Sequence, residues 1–280
     1  ELLVALAAIA VARSKPEHGA VLLRQALPIQ QALGNRAGEC VSRINLGVAA
    51  QQIGDMAAAE VEFLAALRLA QQSGNLTHQA SIHLNLSSTQ LALHRREDAL
   101  ASAACAIELA RRIHNPEFEA YALMTLGAAQ LATNQAMDAG DAFKRSQLLL
   151  DKLALPHLSI EATAWLGQTA MQLGQAGMAL DCVDQVLAHI DQHGHLDGTE
   201  DPLQIRWTCC QVLQSADDAR LEIVLQATWK ALQARLAALG SAEARGRFVA
   251  SRPHHGAITR LAAAVGLAER KRRAVAAQAD

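Results

Sequence analysis

The amino-acid sequence predicts an all-α chain, a solenoid of antiparallel helix pairs laid down at a period of forty residues. Three observations carry that prediction. Small and apolar residues recur in a fixed register: Leu46-Gly47, Leu86-Ser87, Leu126-Gly127 and Leu166-Gly167, then Ala59, Ala99, Ala139 and Ala179, then Phe63, Ala103, Phe143 and Val183. Each unit also splits into two stretches with apolar residues at helical spacing, separated by residues that stop helices. Finally, 51% of the residues are apolar and only 3% aromatic, so cohesion rests on Ala, Leu, Val and Ile at close helix–helix contacts. A register held through four units without insertion is an internal repeat, whose units bury their apolar faces by stacking on one another.

Taken in order, residues 1–35 form the first unit, with Leu6-Ala7 in the Leu-Gly place, Gly19 in the small place, and Pro16 opening the second helix. The following units span about 36–75, 76–115, 116–155 and 156–195. In unit two, Val41, Ile44, Val48 and Ile53 carry one helical stripe, Gly54-Asp55 interrupts it, and Ala59, Phe63, Ala66, Leu67 and Leu69 resume it. Gly34-Asn35, Gly74-Asn75 and Gly174 punctuate, as glycine does where a helix needs a left-handed residue past its end. Asn115-Pro116-Glu117 is a helix start: a capping side chain, a proline suited to the first turn, and an acid at the positive helix end. Glycine inside a helix costs about 1 kcal/mol against alanine. The recurrence of Gly47, Gly127 and Gly167 therefore points to close contact, expected with the small residue that opens each second helix.

These residues resemble the tetratricopeptide repeat, with Leu-Gly, a small residue, then Ala-x3-Phe-x2-Ala. The resemblance implies a right-handed α-solenoid that presents a concave surface to protein or peptide partners. Leu46, Gly47, Ala59, Phe63, Leu86, Ala99, Leu126, Gly127, Ala139, Phe143, Leu166, Gly167 and Ala179 carry its signature. The chain departs from that pattern in its longer period and in two of its positions. Arg43, His83, Leu123 and Thr163 stand at the opening Trp place, and Ala50, Gln90, Gln130 and Ala170 at the Tyr place.

The rhythm loosens after His189, where residues 189–199 read as a polar loop. Residues 196–240 are expected to form a degenerate sixth pair, its first helix starting at Asp201-Pro202 and its second at Asp217-Asp218-Ala219. Residues 241–280 are expected to form capping helices and a basic tail: a short helix from Ser241 to Phe248, a break at Arg252-Pro253, and a last helix from about His254 to Arg270–Arg273. The run Leu196-Asp197-Gly198-Thr199-Glu200-Asp201-Pro202-Leu203, followed by Arg245-x-Arg247-Phe248-x4-Pro253-x4-Ile258, resembles the carboxyl end of repeat regions in large bacterial signalling ATPases of the STAND type. That resemblance implies a sensor or docking arm in a parent chain whose ATPase, nucleotide cyclase or DNA-binding domains lie elsewhere. Glu1 already stands in a helical pattern without a Met, so the chain reads as a fragment of a longer protein.

Composition excludes several classes. A formal charge of −2 gives no reason to expect nucleic acid, and the basic run at 270–273 suits a helix C-terminus. The longest apolar run, Leu2 to Ala12, is too short to span a bilayer. Five scattered cysteines lack a CxxC pattern, and four of them fall in helical apolar patterns, so buried free thiols in a reducing compartment, the cytoplasm, are expected. No phosphate-binding glycine loop and no nucleophile elbow occurs, so the fragment is expected to be non-catalytic and to need no cofactor. His189, Asp191, His193 and His195 read as a solvated loop without a second ligand pair, and His254-His255 as turn residues beside a proline; neither is assigned a metal.

The candidate site is the concave groove lined by the first helices. Its expected residues are Ile44, Val48 and Gln51; Leu84, Ser88 and Leu91; Tyr121, Met124, Ala128 and Leu131; then Gln168 and Met171. Almost no charge falls among them, so a carboxylate clamp is not expected, and an amphipathic helix or another part of the parent is the expected occupant. A small ligand enclosed by the groove is the alternative, and a deep pocket with converging polar groups would favour it. Met124→Arg is expected to leave the fold intact while removing partner binding.

Overall fold

The computed structural model describes residues 2–267 apart from Ser14 and Asp197. Among the described residues there are fourteen helices and no strand. Five antiparallel pairs stack in a right-handed α-solenoid: α1 (Leu2–Ala12) with α2 (Pro16–Ala32), α3 (Arg36–Ile53) with α4 (Met56–Gln72), α5 (Leu76–Ala92) with α6 (Arg96–Arg112), α7 (Pro116–Ala132) with α8 (Ala136–Lys152), and α9 (Pro156–Gln172) with α10 (Ala176–His193). A sixth pair follows, α11 (Pro202–Ser215) with α12 (Leu221–Ala237), and then α13 (Ala242–Ser251) and α14 (Pro253–Ala264). None of these helices is long and apolar enough to cross a membrane.

The forty-residue unit is built of two equal halves. From Pro16 to Ala176, nine helices begin at intervals of twenty residues. The turn after each of them puts one residue in the left-handed region: Gly34, Gly54, Gly74, His94, His114, Asn134, Ala154, Gly174 and Gly194. Asn35, Asp55, Asn75 and Asn115 then cap the next helix by accepting a backbone N–H three residues on. Turn geometry is thus constant where turn sequence is not.

The repeat signature is the core. Ala59, Ala99 and Ala139 are fully buried, as are Phe63, Ala103 and Phe143. Gly47 and Gly127 face a different neighbour from the one expected, whereas a Cβ on Gly167 would lie 3.1 Å from Cys182 Cβ and 3.7 Å from the carbonyl oxygen of Ala179, the expected residue. A Cβ on Gly47 would lie 2.4 Å from the Phe63 ring, and one on Gly127 would lie 2.6 Å from the Phe143 ring. The space is taken by the phenylalanine four residues beyond the small alanine, because an aromatic ring reaches across the gap that the alanine opens. Where Ala103 replaces the ring, Ser87 fills the gap, and its Oγ donates to the Ala99 carbonyl at 2.9 Å.

Three local readings are corrected. α10 continues to His193, so His189 and His193 stand one helical turn apart with ring centroids 4.4 Å apart, and the polar loop begins only at Gly194. α12 begins at Leu221, because Asp217 is left-handed and Asp218 Oδ1 accepts the Arg220 N–H, which holds the intervening residues in a turn. His254 and His255 lie inside the first turn of α14 and are buried, since Pro253 opens that helix. The basic run at 270–273 lies outside the described residues.

The C-terminal helices fold back on the start of the solenoid. Phe248 packs in a cluster with Ile53, Leu203, Leu232 and Ile258. The α13 backbone at Arg247-Phe248 sits so close to Gly54 that a Cβ there would lie 2.8 Å from Phe248 Cα. The Gly240 N–H donates to Glu17 Oε2 at 3.3 Å.

Candidate functional site

This return covers part of the concave side. A cavity of about 530 Å3 lies between α5, α7, α9 and α11, with α14 as a further wall. That volume is within the range of small-ligand sites. Columns at forty-residue spacing or twice that make the first walls: Ser88, Ala128 and Gln168; Leu91, Leu131 and Gln211; Met124 and Gln204; Thr125 and Trp165; Glu161 and Asp201. Glu200, Trp207, Arg252, Pro253, His254, Ala257 and Arg260 complete the C-terminal side, with His94 and Arg96 at the α5–α6 turn. Leu91, Met124, Leu131, Trp165 and Trp207 provide an apolar surface beside this polar one.

The polar groups are positioned by each other. Gln204 Nε2 donates to Gln168 Oε1 at 3.1 Å. Glu161 is 4% exposed, and its Oε2 accepts the Glu200 N–H at 2.8 Å, tying the segment before α11 to α9. Burial, and then the charge of Glu200, push the Glu161 carboxyl up to about 8. Glu200 faces the cavity and is reachable by solvent, yet the walls around it also raise its pKa above the ordinary value. Asp201 caps α11 by accepting the Gln204 N–H at 3.1 Å, and its other oxygen meets Arg252 Nη1 at 3.0 Å. Burial alone would raise Asp201, but the charges of Arg252 and His254 hold it below the usual carboxylate range.

The groove residues expected from sequence divide into two sets. Ser88, Leu91, Met124, Ala128, Leu131 and Gln168 line the cavity. Ile44, Val48, Leu84, Tyr121 and Met171 instead pack against the clusters between units, and Gln51 Nε2 donates to Ser88 Oγ and Thr89 Oγ1. The near-absence of charge is overturned by Glu161, Glu200, Asp201, Arg252 and Arg260. Their signal was present in part: the column through Tyr121 and Glu161 continues to Asp201, and that through Met124 continues to Gln204. The α14 residues carry no such signal, because only the return of the chain brings them there. Met124 is 3% exposed and packs with Phe143, Leu158 and Leu166, so Met124→Arg would place a charge in the core and disturb the fold.

No family model matches the sequence. No curated protein matches it. Among solved structures, aspartyl phosphate phosphatase F from Bacillus subtilis is similar with a TM-score of 0.67 at 14% identity, over 92% of this chain and 68% of that one. A Rap protein complexed with competence and sporulation factor has a TM-score of 0.64 at 11% identity, over 93% of this chain and 75% of that one. A signal transduction ATPase with numerous domains and a tetratricopeptide repeat sensor, from Pyrococcus horikoshii, has a TM-score of 0.64 at 14% identity, over 95% of this chain and 43% of that one. The chain has the fold of the tetratricopeptide-like α-solenoids.

Proposed function

We propose that the chain is a non-catalytic recognition and sensor region that encloses a peptide-sized ligand between its first helices and its folded-back C-terminal helices. The observation that carries this reading is the cavity itself, about 530 Å3, lined by aromatic and aliphatic side chains together with carboxylates and amides. One turn of α-helix about 10 Å across and 5.4 Å long occupies roughly 420 Å3. The cavity, open to solvent on its outer side, is therefore large enough for a short peptide segment.

The complex formed by the structurally similar Rap protein, and the sensor role that the ATPase neighbour's description gives its repeats, support a recognition role. The C-terminal resemblance to STAND repeat tails supports a place as the repeat arm of a bacterial signalling or transcriptional-regulatory ATPase in the cytoplasm. Convergence of Glu161, Gln168 and Gln204 on one enclosed space favours a small polar metabolite as the second reading.

Equilibrium dialysis against pooled tetrapeptides and, separately, pooled polar metabolites, read by mass spectrometry, tests both. Retention of a peptide that Gln204→Leu abolishes is expected. Retention from the metabolite pool alone would transfer the site to the second reading, and retention from neither would refute the cavity as a binding site.

A further inference from the structure

We propose that Asp201, His254 and His255 form a binding site for a first-row divalent metal ion of the zinc type, on the wall of the cavity. One ligand atom from each of the three lies within 4.8 Å of the other two. Two imidazoles and one carboxylate are the donor set that zinc and its neighbours in the first row prefer. The three come from segments that meet only because the chain folds back: Asp201 caps α11, and the two histidines open α14.

The orientation of each histidine suits a metal better than it suits the protein alone. His255 Nδ1 lies 2.8 Å from the Phe248 carbonyl oxygen. A carbonyl only accepts, so Nδ1 carries the proton and Nε2 keeps the lone pair, the arrangement that outer hydrogen bonds impose on metal-binding histidines. The ring is also fixed by stacking on Phe248 at 4.3 Å between centroids. His254 is 6% exposed, and its Nε2 is buried with no hydrogen-bond partner. That nitrogen lies 3.4 Å from Asp201 Oδ2, an ion-pair contact when the imidazole is protonated but not a well-formed hydrogen bond. Folded proteins rarely leave such an atom without a partner. A metal bound at about 2.0 Å to each atom bridges a gap of that length.

Arg252 is the competitor. Its Nη1 lies 3.0 Å from the same Asp201 oxygen. The Arg252 side chain is 29% exposed and lines the cavity, and Glu200 beside it already feels its charge, so it has room and a second carboxylate to turn to. Metal binding thus exchanges one cation for another at Asp201. Asp201 and His254 both line the cavity, so a ligand there would reach the ion. The site stands on its own residues and does not depend on the peptide reading.

The test uses the untagged full chain, stripped with chelator and titrated with Zn2+ alone by calorimetry and with Co2+ alone by visible absorption. One ion per chain with a dissociation constant in the micromolar range or below is expected, with a Co2+ d–d band showing nitrogen ligation. His254→Ala should weaken binding at least tenfold while circular dichroism stays unchanged. Arg252→Gln should tighten binding at least threefold, because it frees the Asp201 oxygen; residues that serve only to hold α14 on α11 would give no such gain. Absence of binding up to 1 mM Zn2+ in the wild type would overturn the proposal. So would binding that survives His254→Ala but is lost in His193→Ala, which would place the ion on α10. If His254→Ala does not fold, the wild-type titration and Arg252→Gln still decide the matter.

Discussion

Gly127 and Phe143 should behave as one unit. A Cβ on Gly127 would lie 2.6, 2.7 and 3.0 Å from three carbons of the Phe143 ring. Unbonded carbons rest at about 3.5–4.0 Å, so the ring would have to move by roughly 1 Å. Phe143 is fully buried and stacks on Trp165 with centroids 5.5 Å apart, so the movement has nowhere free to go. Overpacking of this kind costs about 1–3 kcal/mol, and the gain in helix propensity returns about 1 kcal/mol. Gly127→Ala should therefore destabilise by about 1 kcal/mol, a fall in Tm of roughly 2–4 °C for a chain of this size. Unit five pairs its glycine with Val183 in the ring's place, which suggests the control. In a Phe143→Val background the clash is gone, and Gly127→Ala should stabilise by up to about 1 kcal/mol through propensity alone. The sign of one substitution thus reverses with the identity of its neighbour, a coupling of about 1–3 kcal/mol in a double-mutant cycle. Stacked repeats can unfold in parts, so urea denaturation should be followed both by circular dichroism and by tryptophan fluorescence, with Trp165 beside the mutated pair as a local probe. Equal changes in both backgrounds would refute the packing of glycine against ring on which the register rests.

Other perturbations follow the same geometry. Gly167→Ala should be neutral or slightly stabilising, since its Cβ meets Cys182 Cβ at 3.1 Å, the Ala179 carbonyl oxygen at 3.7 Å and Thr208 Cγ2 at 4.0 Å, and lacks a ring to displace; a loss above about 1 kcal/mol in chemical denaturation would contradict this. Ala154 is left-handed at φ 55°, in the turn where an earlier unit has Gly74. Ala154→Gly should raise stability by about 0.5–1 kcal/mol and Gly74→Ala should lower it, both read from urea midpoints. Glu161, raised to about 8 by burial and by Glu200, holds more protons in the folded chain than in the unfolded one between about 4.5 and 8. Its contribution is therefore full below pH 4.5 and is lost as pH rises through 8. Facing Glu161 are Glu200 and Asp201 before α11 and Tyr121 on α7, and Arg252 before α14 acts on the same acids. With chelator present, Glu161→Gln should be more stable than the wild type at pH 8.5 and equal to it near pH 4.5. A constant difference across that range would show that the carboxyl stays ionised throughout.

Nearly all of the solenoid was legible, because its determinants are local. Leu46, Ala59 and Phe63 recur at fixed spacing, and the Gly-Asn and Asn-Pro turns cap helices whatever surrounds them. The partner of each glycine was less legible, since Gly47 faces Phe63 across a pair of helices and spacing alone does not tell Ala59 from Phe63 as its neighbour. Turns at His94, His114, Asn134 and Ala154 carry no glycine, yet they adopt the same left-handed conformation. Half of the groove set was legible for the same reason that the repeat was: Ser88, Ala128 and Gln168 form a column. Ile44, Val48 and Met171 share the helical face but point between units, a rotation of a few tens of degrees that a periodic pattern does not resolve. Arg252 and His254 were invisible, because they reach the cavity only through contacts between Phe248 and Gly54, nearly two hundred residues apart in the chain.

The departure from the repeat and the chemistry of the site have a common origin. A residue inside a repeating unit is constrained by the neighbour above and the neighbour below, which is why Ala59, Ala99 and Ala139 vary so little. The C-terminal helices have no further unit to match, and their sequence is free to answer a different surface: the concave face they return to. The charged and metal-compatible groups concentrate there. Glu200, Asp201, Arg252, His254 and Arg260 all follow the last regular pair, whereas the wall from α5 and α7 offers Ser88, Leu91, Met124, Thr125, Ala128 and Leu131. The regular array thus supplies shape and, from α9, Glu161 and Gln168, and its degenerate end supplies most of the charged groups. A substitution in α14 should accordingly change what the cavity binds while leaving the five regular pairs folded, and one in the glycine–ring contacts should do the reverse.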